Sequence, residues 1–148
     1  MEVKPPPKLR WKHVFAWSFY DWANSAYATT VMAAFFPIFY GAFWHADVKS
    51  TTSTAFLAYA GTAAGIAVGI IAPILGTIAD KGAAKKKFLG LFAGLGVLFT
   101  AMMAFIPEGG WAWALVAYVV STIGFQGANI LYDSLLVSVT TDEKSDFV

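Results

Sequence analysis

The chain has 148 residues, no cysteine, only two histidines and only 13% charged residues. Without cysteine it can build no disulfide framework, thiolate zinc site or iron–sulfur cluster. His13 and His45 are too far apart in sequence to form a local metal pair, so no metal or other cofactor is expected. Soluble domains carry roughly 25% charged residues because their surfaces face water. This chain has about half that share, which argues against a soluble globular enzyme. Its formal charge of +1 gives no electrostatic reason to bind nucleic acid. Disorder needs low hydrophobicity, whereas 58% of these residues are hydrophobic. No Ser–His–acid set and no phosphate-cradling loop is present, so an enzyme is not expected. An integral membrane protein remains.

Charged residues fall in clusters, and the gaps between them are apolar. Four such stretches cover residues 14–43, 55–79, 88–106 and 111–137. Roughly 17–25 mostly apolar residues are needed to cross about 30 Å of hydrocarbon as a helix. The second and third stretches fit that length. The first and fourth are longer, which implies tilt, a kink or an end projecting past the lipid. Pro37 is the expected kink in the first. Runs of about ten residues alternating apolar and polar, the mark of a membrane barrel, are absent. The fold class read here is all-α integral membrane, with a polar arm at 1–13 and the start of a polar connection at 138–148.

The N-terminus has a second reading. Lys4, Lys8, Arg10 and Lys12 resemble the basic region of a secretory signal. The apolar segment after them contains Asp21 and Asn24 and no small-x-small cleavage site, so it is read as the first span. Short-loop lysines and arginines then set orientation. With the N-terminus in the cytoplasm, nine of the ten basic residues lie inside; reversed, one does. The expected topology is multi-pass with both ends inside.

Within the first span, Asp21, Asn24, Ser25 and Thr29 recur at helical spacing and share one face. At about 1.5 Å per residue, Asp21 lies roughly 10 Å into the apolar run. A carboxylate there costs at least about 2.5 kcal/mol unless protonated, paired or hydrated. The fourth span has a matching stripe of Thr122, Gln126, Asn129 and Asp133. Interhelical hydrogen bonding would account for some of these residues, and Asp133 also reads as a solvated helix-end carboxylate. Two stripes with an acid each, in the same half of the membrane, point to a polar pathway. Gly61, Gly65 and Gly69 in the second span, and Gly90 and Gly94 in the third, are expected packing faces.

Between the second and third spans runs Gly76-Thr77-Ile78-Ala79-Asp80-Lys81-Gly82-Ala83-Ala84-Lys85-Lys86-Lys87. Gly76, Asp80 and Lys81 resemble the signature loop that joins the second and third helices of major facilitator superfamily transporters. Where that signature continues with glycine and a basic residue, this chain has Ala83 and Ala84, and its basic run begins at Lys85. Tyr20-Asp21-Trp22-Ala23-Asn24-Ser25-Ala26-Tyr27, followed by Thr30 and Phe36-Pro37, resembles the first helix of one branch of that superfamily. The branch contains the autophagy-linked vacuolar amino-acid effluxers and related bacterial transporters. Tyr132-Asp133-Ser134-Leu135-Leu136 is similar to its fourth-helix ending.

The resemblance implies a twelve-helix protein in two six-helix halves that rock in alternating access, of which these residues are the first four helices. The other eight helices and the lipid bilayer are then its partners, in a bacterial plasma membrane. A small solute, amino acids among the candidates, is its cargo, with a proton as the coupling ion. Asp21 is the expected cavity carboxylate, binding solute or carrying the proton. Asn24, Ser25, Gln126 and Asn129 are expected polar contacts, with Asp133 beside them. Gly76, Asp80 and Lys81 form the expected cytoplasmic gate. Two other readings stay open at this point: a complete four-helix subunit of a dimeric small exporter, and a non-transporting membrane scaffold.

Overall fold

The computed structural model of the protein describes residues 11–80 and 84–139. Four helices among the described residues are long and apolar enough to cross a membrane. Helix α1 covers residues 11–44, α2 Ser50–Asp80, α3 Lys85–Phe105 and α4 Trp111–Val139. The expected arm at 1–13 and tail at 138–148 lie largely outside the described residues.

Helix α1 is wound unevenly. It is α-helical over Trp11–Ala26, widens to a π-helix over Tyr27–Phe35, tightens over Phe36–Phe39, and widens again over Tyr40–Trp44. In the widened parts the amides reach back five residues, Phe36 N–H to the Val31 carbonyl and His45 N–H to the Tyr40 carbonyl. Pro37 has no N–H to give to a regular ladder. The disturbance expected at Pro37 therefore takes the form of widened turns on both sides of it.

Helix α2 begins five residues before its apolar stretch. Its first turn, Ser50-Thr51-Thr52-Ser53-Thr54, is polar, so apolarity alone misses it. The turn is held by local bonds: Thr54 Oγ1 donates to the Ser50 carbonyl at 2.9 Å, and the Thr52 backbone amide donates to the Lys49 carbonyl at 2.9 Å. The connection between α3 and α4 is tight. Gly109 takes φ +76°, a left-handed conformation that favours glycine.

Helix α4 is the centre of the assembly. It packs along α3 and α2, whereas α2 and α3 hardly touch each other. One core lies where α1 ends, built on the buried Phe36, Tyr40, Trp44, Met103 and Ala114. There the Phe36 ring stacks on Tyr118 at 4.2 Å, and Trp44 Nε1 donates to the Ile106 carbonyl at 3.2 Å. A smaller core of Leu75 and Leu131, flanked by Phe92 and Ile130, lies toward the other end.

The glycines expected as packing faces are not the ones at which the described helices approach most closely. A Cβ built on Gly61, Gly65, Gly69, Gly90 or Gly94 meets nothing within 4 Å among the described residues. The close approach is made elsewhere, where α3 crosses α4. A Cβ on Gly124 would stand 2.5 Å from the Gly96 amide nitrogen, and one on Gly127 would stand 2.4 Å from the Phe92 ring. Spacing in the sequence shows where a helix can be approached. It does not say which faces meet.

Candidate functional site

The polar residues of α1 and α4 meet along one antiparallel seam. On α1 the seam uses Tyr20, Asn24 and Tyr27, spaced four and three residues apart, which places them on one face. On α4 it uses Tyr132, Asn129, Phe125 and Ser121 in the opposite order. Tyr20 and Tyr132 stack with ring centroids 4.6 Å apart. Asn24 Nδ2 donates to Asn129 Oδ1. Tyr27 packs its ring 4.7 Å from Phe125 and donates its hydroxyl to Ser121 Oγ at 2.8 Å. Ser121 Oγ in turn donates to the Tyr118 carbonyl at 3.0 Å.

Asp21 and Asp133 flank the Tyr20–Tyr132 stack at one end of this seam. Both are exposed in the four-helix assembly. The charge of Asp21 acts on Asp133, and both carboxylates act on the Tyr132 hydroxyl. Two acids from different helices thus share one electrostatic neighbourhood. Two carboxylates so placed attract a cation, and the tyrosines beside them carry hydroxyls that can bond a polar solute.

The other expected site residues are distributed around this seam. Ser25 is exposed, and its carbonyl accepts from Thr29 Oγ1 at 2.9 Å. Gln126 is partly buried on α4, and Thr122 is buried at 2% exposure. Of the α1 stripe, Asn24 turns into the seam while Asp21, Ser25 and Thr29 remain on the open side. At the expected gate, Gly76 lies near the end of α2, where a Cβ would meet nothing within 4 Å among the described residues, and Asp80 is the last residue of that helix. Lys81 lies outside the described residues. The basic run after it makes a defined contact: Lys85 Nζ donates to the Ser134 carbonyl at 2.9 Å, one residue from Asp133.

A cavity of about 420 Å³ opens beside the seam, between α1, α3 and α4. Tyr20, Asn24, Tyr27 and Thr100 give it polar edges, and Val97, Phe125 and Ala128 are among its apolar walls. Neither carboxylate lines it. Tyr20, Tyr27, Ser121 and Phe125 were not singled out as site residues from sequence. Their signal was the four–three spacing of Tyr20, Asn24 and Tyr27, one step around the helix from the stripe that begins at Asp21. Among the described residues no group of three or more His, Asp or Glu side chains is placed to hold a metal ion.

The Asn24–Asn129 pair is open to a double-mutant cycle. Interhelical hydrogen bonds in membranes contribute about 0.6 to 2 kcal/mol. Asn24→Ala and Asn129→Ala are expected to show a coupling energy in that range when unfolding is followed in detergent. Strictly additive effects would show that the two amides do not interact.

Helices long and apolar enough to cross a membrane, paired through amides and tyrosines, define an integral membrane protein. Comparison with known proteins gives the family. Residues 46–145 match the family described as vacuole effluxer Atg22 like. Over 134 residues the chain is 47% identical to a protein of Bacillus subtilis (strain 168) named as an uncharacterized MFS-type transporter, YxiO, covering 90% of this chain and 31% of that protein. It is also 31% identical over 123 residues to an uncharacterized protein of Aquifex aeolicus (strain VF5), covering 83% of this chain and 30% of that one. No solved structure matches the chain. The chain belongs to the Atg22-like family of MFS-type transporters, and it spans about a third of the length of these relatives.

Proposed function

We propose that these residues are the N-terminal part of a secondary active transporter that moves a small solute, amino acids foremost, by alternating access. The complete protein has twelve helices in two six-helix halves and sits in a bacterial plasma membrane with its N-terminus in the cytoplasm. The observation that carries this reading is the polar α1–α4 seam, where Asn24 bonds Asn129 and Tyr27 bonds Ser121, with Asp21 and Asp133 next to the stacked Tyr20 and Tyr132 at its end. Asp21 binds the solute or carries the coupling proton, and Asp133 shares its field. Asn24, Ser25, Gln126 and Asn129 are polar contacts along the path. Gly76, Asp80 and Lys81 gate its cytoplasmic end, with the neighbouring Lys85 anchored to α4.

Both bacterial relatives are about three times the length of this chain, which favours a long transporter over a four-helix dimeric exporter. The test is amino-acid uptake by the full-length protein in proteoliposomes under an imposed pH gradient. Uptake that collapses when the gradient is removed supports the reading. If no amino acid moves in either direction, with or without the gradient, the solute assignment is wrong.

A further inference from the structure

At the end of the bundle remote from Asp21, the ends of three helices converge on one imidazole. His45 follows the last turn of α1, at the opposite end of that helix from Asp21. It is 8% exposed. Its ring stacks on Trp111 at the start of α4, with centroids 5.3 Å apart, and meets the edge of Phe56 on α2 at 5.5 Å. Tyr40 of α1 closes a third side at 5.3 Å. Nδ1 lies 3.2 Å from Oγ of Ser53, itself 4% exposed in the first turn of α2. That is the one hydrogen bond of the ring among the described residues.

We propose that His45 is the pin of an acid-released clasp that holds the starts of α2 and α4 against the end of α1. Histidine is the side chain that ordinarily changes charge between about pH 5 and 8. The neutral ring suits its surroundings, because in the tautomer protonated at Nε2 its Nδ1 accepts the Ser53 hydroxyl, and its faces meet aromatic carbon. The protonated ring does not. Trp111 attracts a cation to its face, but a charge enclosed by three aromatic side chains lacks water and a counter-ion. On α1 the titratable neighbour is Tyr40; α2 presents the uncharged Ser53 and Phe56, and α4 presents Trp111. The nearby connections carry Asp47, Lys49 and Glu108, all exposed, and none pairs with His45 among the described residues. Protonation therefore favours the arrangement in which the ring reaches water and the starts of α2 and α4 part.

Two other bonds at this end do not titrate. Gly109 N–H donates to the Phe43 carbonyl at 3.3 Å, and Trp44 Nε1 donates to the Ile106 carbonyl. They keep α1 tied to the α3–α4 connection while the clasp opens beside them. Which compartment the clasp senses rests on the proposed orientation, which puts it on the outer face. The clasp itself does not depend on the role of Asp21.

The test places spin labels at Ser50→Cys and Ala112→Cys in the full-length protein in lipid nanodiscs and measures their separation at about pH 8 and pH 5.5. The ratio of long to short distances is expected to rise about tenfold on acidification. His45→Gln, which keeps a hydrogen-bonding partner for Ser53 but takes no proton, is expected to hold the short distance at both pH values. Ser53→Ala, which removes the hydrogen bond to the neutral ring, is expected to move the opening to higher pH. A wild-type distribution that does not change with pH overturns the proposal. So does a His45→Gln variant that responds as the wild type does, because another group is then responsible.

Discussion

Asp21→Asn in the full-length protein is expected to lower solute flux by about two orders of magnitude, the scale of removing a positioned proton-transfer group. Asparagine keeps the size of the side chain and much of its hydrogen-bonding capacity, but it loses the charge and the exchangeable proton. Among the described residues no hydrogen bond or ion pair holds the Asp21 carboxylate in place. Its replacement therefore breaks no hydrogen bond or ion pair among the described residues, and the variant should reach the membrane at wild-type levels. Uptake in proteoliposomes, set against the amount of protein recovered in the membrane fraction, separates the two effects. Normal abundance with flux at background is the expected result. Wild-type flux would remove Asp21 from the pathway.

Gly124→Ala is expected to destabilise the bundle by about 3 kcal/mol, the upper end of the usual range for overpacking a close-packed site. The added methyl would stand 2.5 Å from the Gly96 amide nitrogen and 2.8 Å from the Phe92 carbonyl oxygen. Both are backbone atoms of α3, so no side chain can swing aside. The two helices must separate, and α4 carries the contacts that hold α2 and α3 in one assembly. Thermal unfolding in detergent measures the loss. The midpoint should fall clearly below wild type, and an unchanged midpoint would mean that α3 and α4 cross elsewhere.

The readable part of the fold was the part that chemistry forces on any chain in lipid. Apolar length gave four spans, and an acid sunk into one of them marked Asp21 without reference to any neighbour. Helical spacing then brought Asn24 and Asn129 forward, and they do bond across the seam. Contacts between helices were less legible. Gly61, Gly65 and Gly69 have the spacing of a packing face and meet nothing among the described residues, while Gly96, Gly124 and Gly127 form the crossing. Lipid-facing and helix-facing surfaces are both apolar, so sequence pattern alone gives little reason to prefer one. Aromatic residues are equally silent. Tyr20, Tyr27 and Phe125 look like many other rings in these spans until α4 is placed beside α1. The start of α2 was missed because its first turn is serine and threonine.

The reading of the α1–α4 seam as an aqueous pathway comes down to whether water reaches its two acids. The 148 residues contain no cysteine, so a single introduced thiol within them reports one position. Asp21→Cys and Asp133→Cys, each in the full-length protein in native membranes, should react with a hydrophilic, membrane-impermeant thiol reagent added from the cytoplasmic side. Labelling of both positions is the expected result. Reaction with a lipid-soluble maleimide alone would place both side chains in hydrocarbon and contradict the pathway.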